Sequence, residues 1–376
     1  MDLLTTIVAT IVLIVVLVVV HELGHFLVAK AAGITVHEFG IGFPPRLASL
    51  IWRGTRYSIN AIPLGGFVKM LGEDAADGES EADRLRQRGL SEAAVEREMA
   101  GSFGRKPLWV RLAVLLAGVV MNFALAVVLL GIAAAQPQPD RVAPITVTDV
   151  QANSPADGVL QVGDRISGAD GQSFDRATAL LLYIQSHAGR QISLSIERGA
   201  ATTTVDVTPR SLTDEQRQAG MGAIGFGWDA PVRDFPPLAD QPIKAIAMGF
   251  DQSWSTAVQI PAALGRTVLG LIGLAPNTGD ARGPIGIAQI IGEVVREPLV
   301  VQLQLAALLS INLAVLNVLP FPPLDGGRIA VTLIEGARRR RLGREREALI
   351  YATGFVMLLL LVVLITIQDI QRLPGS

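Results

Sequence analysis

The sequence contains no cysteine. That excludes disulfides, thiolate catalysis and any metal site built on sulfur. Histidine is scarce too, with four in 376 residues, and only 18% of the chain is charged. A net charge of −2 gives no electrostatic basis for holding nucleic acid. Met1-Asp2 lacks the basic stretch that opens a secretory signal, and the apolar run behind it is too long for an ordinary signal core. The run is therefore expected to stay as a membrane helix. A composition that is 50% hydrophobic fits a membrane protein carrying a soluble portion, not a single soluble domain.

Within that scarcity, two of the four histidines fall in one five-residue stretch, His21-Glu22-Leu23-Gly24-His25, inside the first apolar segment. A helix repeats every 3.6 residues, so His21 and His25 project from one face and can grip one metal ion. Glu22, one step round, can reach a water in an open position on that metal. This is the His-Glu-x-x-His pattern of zinc-dependent hydrolysis. Such a trio could also serve as a polar cluster holding helices together, although ionisable groups at membrane depth are costly and usually functional. With cysteine absent, any zinc must take His and carboxylate ligands, the catalytic and not the structural set.

Four segments qualify as spans: Leu3 to Ala29, Leu108 to Ala135, Leu299 to Leu319 and Ala348 to Ile367. Ile243 to Leu274 is apolar but interrupted by Lys244, Asp251, Gln252, Gln259, Pro261 and Arg266, which suits an interfacial amphipathic helix pair within a region 240–296. Basic residues set the orientation. Arg46, Arg53, Arg56, Lys69, Arg105 and Lys106 mark the segment 30–107 as cytoplasmic, and Arg338-Arg339-Arg340-Arg341 does the same for the last turn. Both termini then lie outside, and the metal motif sits at the cytoplasmic end of the first span.

Between the spans, Val36 to Leu71 alternates like β-structure (Arg56, Ser58, Asn60 against Tyr57, Ile59, Ala61) and is rich in glycine, notably Gly65-Gly66. Hairpins dipping beside the first span are expected, since non-helical backbone is tolerated at depth where protein or water covers it. Glu73 to Glu98 is charged and reads as either helical or mobile, most simply a solvated linker. The outer loop holds a compact unit, 143–210, with β-rich runs Ile145 to Val150, Gln191 to Arg198 and Thr203 to Thr208 and a helix from Arg176 to Ser186. It carries no catalytic cluster, and His187 is read as a surface or capping residue.

A catalytic zinc needs a third protein ligand. Asp325 is the candidate, in Asn317-Val318-Leu319-Pro320-Phe321-Pro322-Pro323-Leu324-Asp325-Gly326-Gly327-Arg328. Prolines stop the helix and glycines let the backbone approach closely and aim the carboxylate. The break falls at the cytoplasmic end of the third span, the level of His21 and His25. Taken alone, Asp325 could simply be a turn residue at the membrane surface. Asn317 is an amide in an apolar helix, able to bond a neighbouring helix or to hold a substrate strand.

Together these pieces resemble the site-2 protease family of intramembrane zinc metalloproteases, in the bacterial branch that includes the regulator of sigma-E protease. The resemblance rests on His21 to His25, the glycine-rich hairpin region, Asn317, Pro320, Pro322, Leu324, Asp325 and Gly326, and Gly283-Pro284-Ile285-Gly286-Ile287. Ser154-Pro155-Ala156 and Gly163-Asp164-Arg165-Ile166 look like pieces of a PDZ domain. The implied fold is a polytopic α-helical membrane protein with about four transmembrane helices, membrane-associated β-hairpins and one extracytoplasmic PDZ-like α+β domain. The implied function is regulated intramembrane proteolysis in a bacterial cytoplasmic membrane. Zn²⁺ is then held by His21, His25 and Asp325, Glu22 is the general base, and Asn317, Gly65 and Gly66 take hold of the substrate. The implied partners are already trimmed single-span proteins, such as anti-sigma factors or remnant signal peptides, and the lipid bilayer. Val119 replaces a family proline beside Gly118, and there is room for one PDZ unit where some relatives carry two. The competing readings are a catalytically inactive PDZ scaffold and a metal transporter. A scaffold should have lost Glu22 or a ligand; a transporter should spread polar residues through several spans.

Overall fold

The computed structural model describes residues 3–73, 82–83, 85–87, 89, 91–136, 138–199, 201–211, 222–235, 238, 240–271, 282–338 and 343–371. In chain order the elements begin with α1 (Leu3–Ala31), β1 (Val36–Trp52), β2 (Thr55–Met70), α2 (Glu92–Met99) and α3 (Leu108–Ala134). Next come β3 (Gln138–Arg141), β4 (Ile145–Val150), β5 (Arg165–Ala169), β6 (Gln172–Ser173), α4 (Ala177–Ser186), β7 (Ile192–Arg198), β8 (Ala201–Val207), β9 (Phe226–Asp229) and β10 (Val232–Phe235). The chain closes with α5 (Pro242–Leu271), α6 (Pro284–Val294), α7 (Leu299–Val318), α8 (Asp325–Arg338) and α9 (Arg344–Gln371). Two compact units result: Met1–Ala135 with Leu238–Ser376, and Gln136–Pro237.

In the first unit α1, α3, α7 and α9 are long and apolar enough to cross a bilayer. Uninterrupted helix is what such sequences adopt there, because every backbone donor and acceptor is then satisfied internally. Helix α3 packs against α1, α5, α7 and α8. Small residues set the close crossings. A Cβ on Gly24 of α1 would stand 2.4 Å from the Ala117 carbonyl oxygen of α3, and one on Gly249 of α5 would stand 2.4 Å from that of Val127. In place of the helix pair read for Ile243 to Leu274, Pro242–Leu271 is one continuous helix with Pro261 inside it. Burial of one face against α3 and α7 carries the helix through the proline; Leu274 lies outside the described residues. Of the arginine run, only Arg338 is described.

The hairpin is more folded than a two-stranded ribbon. Phe39 to Ile41 pairs on one side with Gly66 to Val68 and on the other with Tyr57 to Ile59, while Arg46 to Trp52 pairs with Thr55 to Asn60. The segment ending in Met70 is therefore one edge of a small sheet. Its alternation is present with polar groups inward: Ser58 and Asn60 are buried and Ile59 is exposed. Asn60 Nδ2 donates to the Gly42 carbonyl at 3.0 Å, and Thr55 Oγ1 donates to the Val36 carbonyl at 3.0 Å.

The second unit is an antiparallel sheet in the order β8-β7-β5-β4-β9, with β6 on β5. Ile192, Leu194 and Ile196 alternate inward along β7. Ala177, Leu180 and Ile184 of α4, at helical spacing, close over them in one cluster with Ile145 and Ile166. The sheet continues past Arg210, because Phe226 to Asp229 pairs with β4. His187 caps α4, its ring stacked on Tyr183 with centroids 4.1 Å apart.

Candidate metal centre and active site

His21 and His25 share one face of α1 and are both buried. Their Nε2 atoms are 3.2 Å apart. Asp325 Oδ2 lies 2.8 Å from His21 Nε2 and 3.2 Å from His25 Nε2. Donors bonded at about 2.1 Å to one tetrahedral ion stand roughly 3.4 Å apart, so these three atoms have the spacing of one metal's ligands. Helix α3 supplies the floor. A Cβ on Gly118 would lie 2.5 Å from His25 Nε2 and 2.7 Å from His21 Nε2, so its missing side chain leaves the hollow toward which both nitrogens point.

The other ring nitrogens are also held. His25 Nδ1–H donates to the Val114 carbonyl at 2.8 Å, which leaves Nε2 with a free lone pair. His21 Nδ1 lies 3.3 Å from Asn122 Nδ2, while the buried Asn122 Oδ1 has no partner. A half-turn of that amide brings Oδ1 to accept from His21 Nδ1–H. One change thus satisfies the orphaned oxygen and fixes His21 in the metal-binding tautomer. Ser310 of α7 donates to the Asn122 backbone carbonyl at 2.8 Å, tying a third helix to the same point.

Asp325 arrives through a folded-back turn. Helix α7 stops at Val318, the chain turns with Leu324 N donating to the Phe321 carbonyl at 2.9 Å, and α8 then starts with the Leu324 carbonyl accepting from Gly327 and Arg328 at 2.9 and 3.2 Å. A Cβ on Gly326 would lie 2.1 Å from the Leu319 carbonyl oxygen, and one on Gly327 2.8 Å from Pro322 N. Only glycine permits that approach. Asp325 thereby opens α8 against the histidines.

Glu22 is half-buried one step round α1. The sheet edge passes beside it: a Cβ on Gly66 would stand 3.3 Å from Glu22 Cγ. Gly65 has φ +116°, with the Phe43 ring close by. Asn317 is buried on the last turn of α7. The structure thus brings together His21, Glu22, His25, Asp325 and Gly66; Asn317 and Gly65 are not among the cluster's bonding partners. Sequence reasoning missed the part of α3. Its signal was an amide and a glycine at helical spacing, Gly118 and Asn122, in an otherwise apolar span.

Comparison with known proteins agrees. Peptidase family M50 matches residues 9–361. The regulator of sigma-W protease RasP of Bacillus subtilis is 29% identical over 434 residues, covering 98% of this chain and 99% of that protein. The zinc metalloprotease RasP of Bacillus licheniformis is 28% identical over 435 residues, 98% of this chain and 100% of that protein. A protein of Agrobacterium fabrum, provisionally named a zinc metalloprotease, is 33% identical over 365 residues, 95% of this chain and 93% of its own length. Among solved structures, the PDZ domain of an SdrC-like protein of Listeria innocua is 26% identical over 24% of this chain and 97% of that one, with a TM-score of 0.21. The chain belongs to peptidase family M50, the site-2 proteases, and is a zinc metalloprotease.

Proposed function

We propose that the protein cleaves peptide bonds within the transmembrane segments of single-span membrane proteins whose outer domains have already been removed. The observation that carries this reading is the convergence of His21 Nε2, His25 Nε2 and Asp325 Oδ2 over Gly118, with Glu22 alongside, at the end of an apolar helix. His21, His25 and Asp325 hold the zinc. When bound, zinc supplies a Lewis acid for the scissile carbonyl and for water. Glu22 takes a proton from the attacking water and returns it to the leaving amine nitrogen. Asn122 and the Val114 carbonyl keep both imidazoles in the tautomer that ligation needs.

A transmembrane helix must unwind before its peptide bonds are accessible. The edge around Gly65 and Gly66 offers backbone groups to pair with an extended substrate strand beside Glu22, and Asn317 offers an amide for the freed backbone. The outward-facing Ile59, Leu47, Leu50 and Trp52 suit a hairpin set in the membrane surface. The β-rich unit is read as a PDZ-type domain on the outer face that screens substrates by the size of what remains of their outer domain. The enzyme is placed in a bacterial cytoplasmic membrane with its site near the cytoplasmic side. The name of the Bacillus subtilis relative, a regulator of sigma-W, points to membrane anti-sigma factors as substrates; remnant signal peptides fit the same chemistry.

The test is cleavage of a tagged, pre-trimmed single-span protein by the purified enzyme and by Glu22→Gln. Cleavage within the span by the wild type, lowered about 10²- to 10⁴-fold in the variant with zinc retained, is expected. Equal cleavage by both removes Glu22 from its role. Unimpaired cleavage by Asn317→Ala removes the amide from its own.

A further inference from the structure

Helix α8 carries more than Asp325. Asp325, Arg328, Thr332 and Glu335 recur at steps of three and four residues and so line one side of it. Facing them, α3 presents Arg111, Val114, Gly118 and Asn122 at the same kind of spacing. The later members of that stripe meet the histidines; Arg111 meets α8. Its Nη2 donates to Glu335 Oε2 at 2.8 Å and lies 3.5 Å from Thr332 Oγ1. Only 15% of the Arg111 side chain and 8% of that of Glu335 are exposed. The Phe103 ring, 5.4 Å from the guanidinium, holds it from another side.

A second tie joins α8 to the hairpin. Arg328 pairs with Glu73, whose other carboxylate oxygen accepts from the Met70 backbone at the end of the sheet edge. A polar cavity between the two ties is lined by Glu73, Arg111, Arg328, Thr332 and Glu335. A place for water there lets the charges persist at low exposure.

We propose that Arg111 and Glu335 are positioning residues for the metal centre: their ion pair fixes the roll of α8 about its axis, and through it the point at which Asp325 meets the histidine nitrogens. The inference rests on Asp325 being the third zinc ligand. Two features make the roll matter. Asp325 opens its helix immediately before Gly326-Gly327, which fit closely on the backbone of residues 318–322 but bring no side chains to interlock there and set the roll. A carboxylate about 5 Å from a helix axis moves about 2 Å when the helix rolls by about 20°, far beyond the tolerance of about 0.2 Å in a ligand distance. Apolar contacts slide under such a roll; a buried ion pair with one good geometry does not.

The experiment uses full-length protein purified in detergent. Zinc affinity is measured by competition with a chromophoric chelator, alongside kcat and KM on a pre-trimmed single-span substrate. Glu335→Asp and Arg111→Lys keep the charges and the fold but change the reach. Both are expected to weaken zinc about 10-fold or more, to lower kcat and to leave KM in place. Asp325→Asn is the control. If it loses zinc while both conservative variants bind zinc as the wild type does, the positioning role is overturned and the ligand assignment stands. If Asp325→Asn binds zinc normally, the assignment fails and the positioning role with it. A lowered unfolding temperature with unchanged zinc affinity in Glu335→Asp and Arg111→Lys marks the pair as merely structural and also overturns the proposal.

Discussion

Both units of this chain bury apolar side chains, but they differ in how many polar ones they bury beside them. In the sheet unit the interior is aliphatic: Ile145, Ile166, Leu180 and Ile192 are shut away, and serines and threonines of β7 and β8 face outward. In the helical unit His21, His25, Asn122, Ser310, Asn317, Thr332 and Glu335 are buried, while Val8, Val12, Leu299 and Leu360 are exposed. Even its hairpin turns Ser58 and Asn60 inward and Ile59 outward. Where apolar surface meets lipid, burying it gains nothing, so small residues and polar contacts must specify the packing. In the sheet unit, transfer of apolar area from water does that work. A buried polar residue therefore means different things in the two units.

The sharpest way to probe that difference is glycine. In the helical unit Gly118→Ala puts a methyl group 2.5 Å from His25 Nε2, on a helix that cannot shift without moving the floor of the site. Loss of cleavage by about 10²-fold or more is expected, with zinc affinity falling alongside it. Gly163, with φ +93° and open space around it, is the counterpart in the sheet unit. Gly163→Ala is expected to cost about 1–2 kcal/mol in backbone strain and to leave zinc binding alone. Chelator competition and thermal unfolding on the two variants read both effects.

The aliphatic side of the comparison is tested by truncation. Ile166 is fully buried between β4 and β7. Ile166→Ala is expected to destabilise the sheet unit by about 3 kcal/mol, seen as faster amide exchange along β4, β5 and β7 in the full-length protein. Val12, more than half exposed on α1, has little protein contact to lose when cut to alanine. If Val12→Ala in detergent costs as much as Ile166→Ala, apolar side chains on the outside of α1 stabilise as much as those inside the sheet unit, and the contrast fails.

These contrasts also explain what the sequence made legible. Charged, amide and imidazole groups stand out in apolar spans, so the grouping of His21, His25 and Asp325 was readable, as were the four long helices. The prolines before Asp325 announced a turn, but not that Gly326 and Gly327 press on the backbone of residues 318–322. Val114 escaped because its part is played by a carbonyl, which every residue has. Gly118 and Asn122 stand four residues apart in an apolar span, yet their meaning depends on which face of α3 meets α1. Glu335 and Arg111 lie far apart in sequence, and no local pattern links them. In the sheet unit Ile192, Leu194 and Ile196 announced β7 by alternation, whereas β9 lies beyond a long gap from its partner β4.

Two carboxylates offer a finer test, since each serves backbone amides in one of the two settings. Asp164 in the sheet unit accepts from Gln161 N at 2.8 Å and pairs with Arg198 through two bonds of 2.8 Å. The Arg198 hydrogen bond, with the Gln161 amide, holds its carboxyl below the usual range. A carboxylate depressed by folding stabilises the fold above its unfolded pKa of about 3.9, and that contribution is lost as pH falls through the lower folded value. Asp164→Asn is thus expected to cost about 2 kcal/mol at neutral pH, and its deficit should shrink on acidification. Asp369, buried near the end of α9, accepts from Gly283 N at 3.1 Å and Gly286 N at 2.8 Å, and so caps α6. Side chains at either glycine would collide with that carboxylate or with its neighbours, which accounts for the Gly283-Pro284-Ile285-Gly286 motif. Asp369→Asn keeps one acceptor and turns an N–H₂ toward a backbone donor, so about 1 kcal/mol is expected, read as faster exchange in the first turn of α6. Because α6 packs against α1, loosening there tests how far a single cap supports the helix that carries the histidines. If exchange in α6 is unchanged, packing alone holds that helix, and polar contacts specify less of the helical unit than the comparison demands.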